Sequence, residues 1–167
     1  MTAADLDEIL RTGVATHEAA HAVGLAAAGI RFTDVLVGHQ AEMRDPTGHV
    51  GAVQGQVRGD TAQALRRRLP YVAALLAGML AESRVLGVDV EILAGSCGAR
   101  DLDIAHHVAD GLNPDAAIDM WRAADRLVTR HAAAIAVTAA ALQTRGRLTE
   151  ADVIAIVHEH PPRKAPA

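Results

Sequence analysis

The sequence predicts a mainly α fold with a small β-sheet, of the α+β class. Three observations carry this. Aromatic residues are 2% of a chain that is 50% apolar, so the core is built from Ala, Leu, Val and Ile, which favours close-packed helices. Helical patterns dominate up to Gly29 and again from Asp60. Between them lie two β-branched, alternating stretches divided by the turn signal Asp45-Pro46-Thr47-Gly48.

The elements follow in order. Asp5 to Leu10 reads as a short helix broken by Gly13. A second helix begins near Thr16 and stops at Gly29, a natural C-cap. Arg31 to Val37 is a strand, and His49 to Val57 is a second, glycine-rich one, giving a hairpin or small sheet. From Asp60 the pattern is helical, interrupted by Pro70. Proline is tolerated in a first turn, so a new helix is expected over Tyr71–Leu86, with Leu75, Leu76, Met79 and Leu80 on its apolar side. Residues 87–100 read as a glycine-punctuated loop, and Asp101 as the N-cap of a helix from Leu102 to Ala109. After Asn113-Pro114, one long helix runs from Asp115 to Thr144 and ends at Gly146. Thr149-Glu150-Ala151-Asp152 resembles a capping box opening a final helix that reaches His158. Residues 1–160 are expected to form one domain, and the proline-rich residues 161–167 a disordered tail.

Composition narrows the possible roles. A length of 167 residues suits one domain with a real core. A formal net charge of −4 leaves no general basic surface, so no nucleic-acid partner is expected. The basic run Arg66-Arg67-Arg68 reads as a solvated helix face. The single cysteine, Cys97, cannot form an intrachain disulfide, which fits a reducing compartment. Asp5, Asp7 and Glu8 come where a secretory leader would be apolar. The longest apolar run, Val72 to Leu80, falls short of the ~20 residues that span a bilayer. These features predict a cytoplasmic location without membrane insertion.

The chemistry concentrates in His17-Glu18-Ala19-Ala20-His21, the HExxH pattern of zinc hydrolases. At ~3.6 residues per turn, positions i and i+4 share one helix face, so both imidazoles can bind one Zn2+ ion. Glu18 projects beside them and can take a proton from an activated water. The flanks Val14-Ala15-Thr16 and Ala22-Val23-Gly24-Leu25-Ala26 are small and apolar, as in a buried helix. Buried histidines and a buried glutamate need partners, and a metal satisfies all three.

A hydrolytic zinc usually has three protein ligands. The extended motif HExxHxxGxxH is excluded, because Gly24 is in place but Ala27 stands where the third histidine belongs. The downstream candidates are Glu82, Asp101, Asp103, His106 and His107. Cys97 reads as structural or incidental, because HExxH chemistry needs no thiol.

Several segments, in order, resemble the peptidase domain of FtsH, the membrane-bound ATP-dependent zinc protease. Ala15-Thr16-His17-Glu18-Ala19-Ala20-His21-Ala22 is similar to its HEAGHA box, and the strand pair within 31–57 takes the place of its small sheet. Ala77-Gly78-Met79-Leu80-Ala81-Glu82 is similar to its GGRxAEE segment, and Gly98-Ala99-Arg100-Asp101-Leu102-Asp103-Ile104-Ala105 to its GASNDLxxAT segment. The C-terminal helices, with Leu148-Thr149 opening the last, follow its layout, so the resemblance covers residues 12–158. It implies a helical zinc-peptidase domain in which Asp101 is the third ligand. Asp103, ~200° further round the helix, then faces elsewhere, and His106 and His107 are solvated or support the ligands without binding the metal. Glu82 is expected either near the metal, orienting a histidine, or as a structural capping residue. The family's rings imply a homo-oligomer.

The chain departs from that pattern in three ways. Ala20 replaces a glycine, Arg100 replaces the asparagine before the ligand aspartate, and the sequence contains neither a GxxxxGK[ST] phosphate loop nor an apolar membrane span. The expected activity is therefore a stand-alone zinc metallopeptidase, ATP-independent by itself, acting on flexible or partner polypeptides. An ATPase acting in trans is conceivable, but no residue marks one. The alternative is a catalytically weak or inactive metal-binding interaction module derived from such a peptidase.

Overall fold

The computed structural model describes residues 2–39, 49–54, 68–109 and 116–163. The turn at 45–48, the strand end at 55–57, Arg66, Arg67, Asn113-Pro114 and residues 164–167 lie outside them. Among the described residues there are helices α1 (Ala3–Ala28), α2 (Arg68–Leu86), α3 (Val90–Ala94), α4 (Ala99–Ala109), α5 (Ala116–Arg130), α6 (Ala132–Arg145) and α7 (Glu150–Glu159). The strands are β1 (Asp34–His39), β2 (His49–Gln54) and β3 (Arg147–Thr149). The expected α+β class, mainly helical with a small sheet, is what the chain adopts.

Helix α1 is the axis of the fold. Thr2 caps it in a reciprocal box with Asp5, and it ends in the left-handed Gly29 (φ 63°). The expected break at Gly13 does not occur, and no new helix starts near Thr16. A glycine costs a helix only about 1 kcal/mol against alanine, and here its bareness is used for packing. A Cβ on Gly13 would lie 2.9 Å from Leu86 Cδ1 and 3.1 Å from Glu82 Oε1. From Ala15 to Leu25 the helix is buried on all sides, packed by α2, α6, α7, β1 and β2.

Helix α2 runs beside α1 and is itself buried from Tyr71 to Met79. Its described part runs from Arg68, and Pro70 is its third described residue. By length and composition this helix could cross a membrane, and 61% of its apolar window is buried within the fold. The two helices meet through small residues: a Cβ on Gly24 would lie 2.8 Å from Ala74 Cβ and 3.0 Å from Ala74 Cα.

The sheet has the order β2-β1-β3, all antiparallel. Val35 pairs with Val53 on one side and Leu148 on the other, and all three are buried against the helices. β1 starts three residues later than Arg31. β3 went unpredicted because three residues carry too little alternation to register. It is pinned by a two-pronged contact of Arg147 with Asp34, at 3.0 and 2.8 Å. Among the described residues β2 is an edge strand.

Two further expectations change. The helix expected from Asp115 to Thr144 is two helices, turning at His131 (φ −103°, ψ 17°). The turn carries α5 onto α2 and α6 onto α1, a tertiary demand that no Gly or Pro announces. The stop at Gly146 (φ 71°) and the capping box Thr149–Asp152 occur as expected. The segment 87–100 is not all loop: Asp89 caps α3, and α4 starts at Ala99. Beyond α7, Arg163 N–H donates to the Arg130 carbonyl at 2.9 Å.

The Gly24 contact is testable. Gly24→Ala should lower stability by about 1 kcal/mol, because overpacking of ~1–3 kcal/mol exceeds the ~1 kcal/mol helix-propensity gain. Urea denaturation reads it, and an unchanged or raised midpoint would contradict the tight crossing.

Candidate metal centre

The two histidines of α1 face α2 and the first turn of α4. Their rings meet edge to face, with centroids 4.6 Å apart. Both are buried, at 6% and 7% exposure. His17 Nε2 lies 3.1 Å from Asp101 Oδ2, and His21 Nε2 lies 3.3 Å from the same atom. One ligating atom from each of the three residues falls within 4.8 Å of the others. A tetrahedral ion with bonds of about 2.0–2.1 Å needs donors about 3.3 Å apart. Both histidine–carboxylate distances fit that spacing, and the two histidine donors lie within 4.8 Å of each other.

The far side of each ring is anchored. His17 Nδ1–H donates to Glu82 Oε2 at 2.8 Å, and His21 Nδ1–H donates to the Ala74 carbonyl at 2.8 Å. A proton held on Nδ1 leaves the Nε2 lone pair for a cation, which is how ligating histidines are usually oriented. The sequence expectation for Glu82, placement beside a histidine, is met in the geometry. The Ala74 carbonyl was not anticipated, because a main-chain acceptor leaves no mark in the residue types.

Gly78 was also missed as part of the site, though it sits one turn before Glu82. A Cβ there would lie 2.7 Å from His17 Nε2, 2.7 Å from His21 Nε2 and 2.6 Å from His21 Cε1. The bare helix surface at Gly78 is therefore the floor on which the two Nε2 atoms rest.

Asp101 comes from the first turn of α4, at its third residue, and not from the N-cap position expected. The helix starts at Ala99 because Leu102 N–H bonds back to Gly98 O at 3.0 Å. A carboxylate in the first turn is favoured by the helix dipole. Asp103, His106 and His107 are exposed and stay out of the cluster. Ala20 is fully buried and Arg100 is exposed.

Glu18 is buried at 8% exposure and makes no hydrogen bond or ion pair among the described residues. Burial pushes its pKa up, against the pull of the His21 and His17 imidazoles. Such a carboxyl is a stronger base than one in water. Cys97, exposed in the turn after α3, places Sγ 3.6 Å from Glu82 Oε2. Partial burial and the Glu82 charge push its pKa up, so it is not an activated thiolate.

Without a cation between them, the imidazoles meet Asp101 with protons. Burial opposes charge on His17, but Asp101 and Glu82 outweigh it and push the pKa up to about 10. His21 is raised in the same way, burial again being overcome by Asp101. Burial works against the Asp101 charge, yet the two imidazoles hold its pKa well below the usual carboxylate range.

No protein-family model and no curated protein sequence matches the chain.

Two predictions follow from this geometry. Gly78→Ala should weaken Zn2+ binding by at least roughly 10- to 100-fold while far-UV circular dichroism stays helical, and undiminished binding would contradict the floor. In chelator-stripped protein, the raised His17 value stabilises fully below its ordinary 6.5 and is lost as pH rises through about 10. The denaturation midpoint should therefore fall over that interval, and Asp101→Asn should flatten the fall. A midpoint that is flat or rising in the unsubstituted protein would contradict the charge assignment.

Proposed function

We propose that this chain is a zinc metallopeptidase of the FtsH-like type that hydrolyses peptide bonds in flexible or partner polypeptides. The observation that carries the reading is the convergence of His17 Nε2, His21 Nε2 and Asp101 Oδ2 on one point, with both Nδ1 atoms already engaged. Two imidazoles and one carboxylate are a donor set that suits zinc.

His17, His21 and Asp101 would hold the ion. Bound zinc supplies Lewis-acid polarisation of the scissile carbonyl and acidifies the attacking water. Glu18 takes the proton from that water and later returns it to the leaving amine. Glu82 and the Ala74 carbonyl keep the imidazoles from rotating. Burial around Glu18 limits competing solvent. The outer side of β2, an edge strand among the described residues, can hold an extended peptide by main-chain hydrogen bonds, which gives little sequence preference. The FtsH-like reading also includes a homo-oligomeric ring, with any ATPase acting in trans.

The competing reading keeps the metal and removes the turnover, leaving a module that binds a partner. Ala20, fully buried where the resembling family has glycine, favours it. A buried Glu18 with no hydrogen-bond partner among the described residues favours the enzyme, because a purely structural site has no use for a base.

Zinc content and cleavage of casein, for wild type and Glu18→Gln side by side, test this. The expected result is about one zinc per chain in both, with turnover in the variant reduced by a factor on the order of 10²–10⁴. Wild-type cleavage rates in Glu18→Gln would overturn the mechanism. Zinc in both without cleavage in either would favour the binding module.

A further inference from the structure

The Nδ1 side of His17 carries a second set of donors. His17, Glu82 and Cys97 each present a ligand atom, and these atoms lie within 4.8 Å of one another. We propose that Cys97 Sγ, Glu82 and His17 Nδ1 form a second cation site for a thiophilic divalent ion, and that this site competes with the first for the one lone pair of His17. The competition rests on the zinc reading above, whereas the second site itself does not.

The distances suit a small ion after a modest adjustment. Cys97 Sγ and Glu82 Oε2 are 3.6 Å apart. Bonds of about 2.3 Å to sulfur and 2.0 Å to oxygen set a tetrahedral edge of about 3.5 Å. His17 Nδ1 and Glu82 Oε2, now hydrogen-bonded at 2.8 Å, would open to about 3.3 Å. Two of the donors are buried and already held in place, while Cys97 is exposed and gives the ion a path from solvent. A thiolate selects soft ions over Mg2+ or Ca2+, and Cd2+ or excess Zn2+ meets the requirement.

The protons balance. Cys97 releases its thiol proton to solvent as the sulfur–metal bond forms. The Nδ1 proton of His17 goes to solvent as that nitrogen binds the ion, and Nε2, once free of zinc, carries a proton from solvent and donates it in a hydrogen bond to Asp101 Oδ2 across 3.1 Å. A neutral imidazole has one lone pair, so a His17 that ligates through Nδ1 no longer ligates through Nε2. Filling the second site therefore empties the first of one ligand. The consequence is inhibition by thiophilic ions through Glu82 and Cys97, without the inhibiting ion occupying the first site.

Cadmium titration followed by ultraviolet sulfur-to-metal charge transfer tests this, because Cys97 is the one thiol in the chain. Wild type, Cys97→Ser, Glu82→Gln and Asp101→Asn are compared, with zinc affinity measured in parallel. The expected result is a band saturating at about one cadmium per chain in wild type and Asp101→Asn. It should be absent in Cys97→Ser and its affinity weakened roughly 10-fold or more in Glu82→Gln. No band in wild type, or a band of equal affinity in Glu82→Gln, which marks a bare or cross-linking thiol, would overturn the proposal. Zinc affinity equal in wild type and Asp101→Asn would instead overturn the first site and leave the second standing.

Discussion

Two imidazoles buried inside a helix–helix contact constrain everything around them. A buried histidine must spend both ring nitrogens, since an unsatisfied polar atom in an apolar interior costs on the order of 1–3 kcal/mol. His17 and His21 meet that demand with Glu82 and the Ala74 carbonyl on one side and Asp101 on the other. The first two partners belong to α2 and the third to α4. The same contacts that satisfy the rings therefore fix how three helices sit relative to one another. The Asp101 side is where charge accumulates, and a divalent cation there would supply the same two positive charges that two imidazolium protons supply.

That arrangement explains the unusual composition. The rings approach the α2 backbone only because Gly78 has no side chain, and the helices cross tightly only because Gly24 faces Ala74. Bulky aromatics would hold α1 and α2 apart, and the chain has few. Gly13 extends the contact at the other end, against Leu86 and Glu82. Glycines that would be read as breaks are here the points of closest approach, so helix propensity yields to packing.

This is also where the sequence was legible and where it was not. The HExxH spacing puts its two histidines on one face in any helix, so the first two donors could be read directly. Asp101 could be placed only by resemblance, because a contact across 84 residues leaves no local signal. Its position as the third residue of α4, and not as the expected cap, follows from the start of α4 at Ala99. The end of α1 at Gly29 and the cap at Thr149 were legible because both depend on a residue's own backbone or side chain. The turn at His131 and the strand β3 were not, because partners elsewhere in the fold create them. The Ala74 carbonyl is the extreme case, since every residue has one.

Zinc K-edge X-ray absorption on protein loaded with one equivalent of zinc tests the central claim most directly. Ligation by His17, His21 and Asp101 predicts a four-coordinate ion with nitrogen and oxygen neighbours at about 2.0–2.1 Å, two-imidazole multiple scattering and no sulfur. A sulfur neighbour at about 2.3 Å, or a hydrated ion without imidazole scattering, would contradict it.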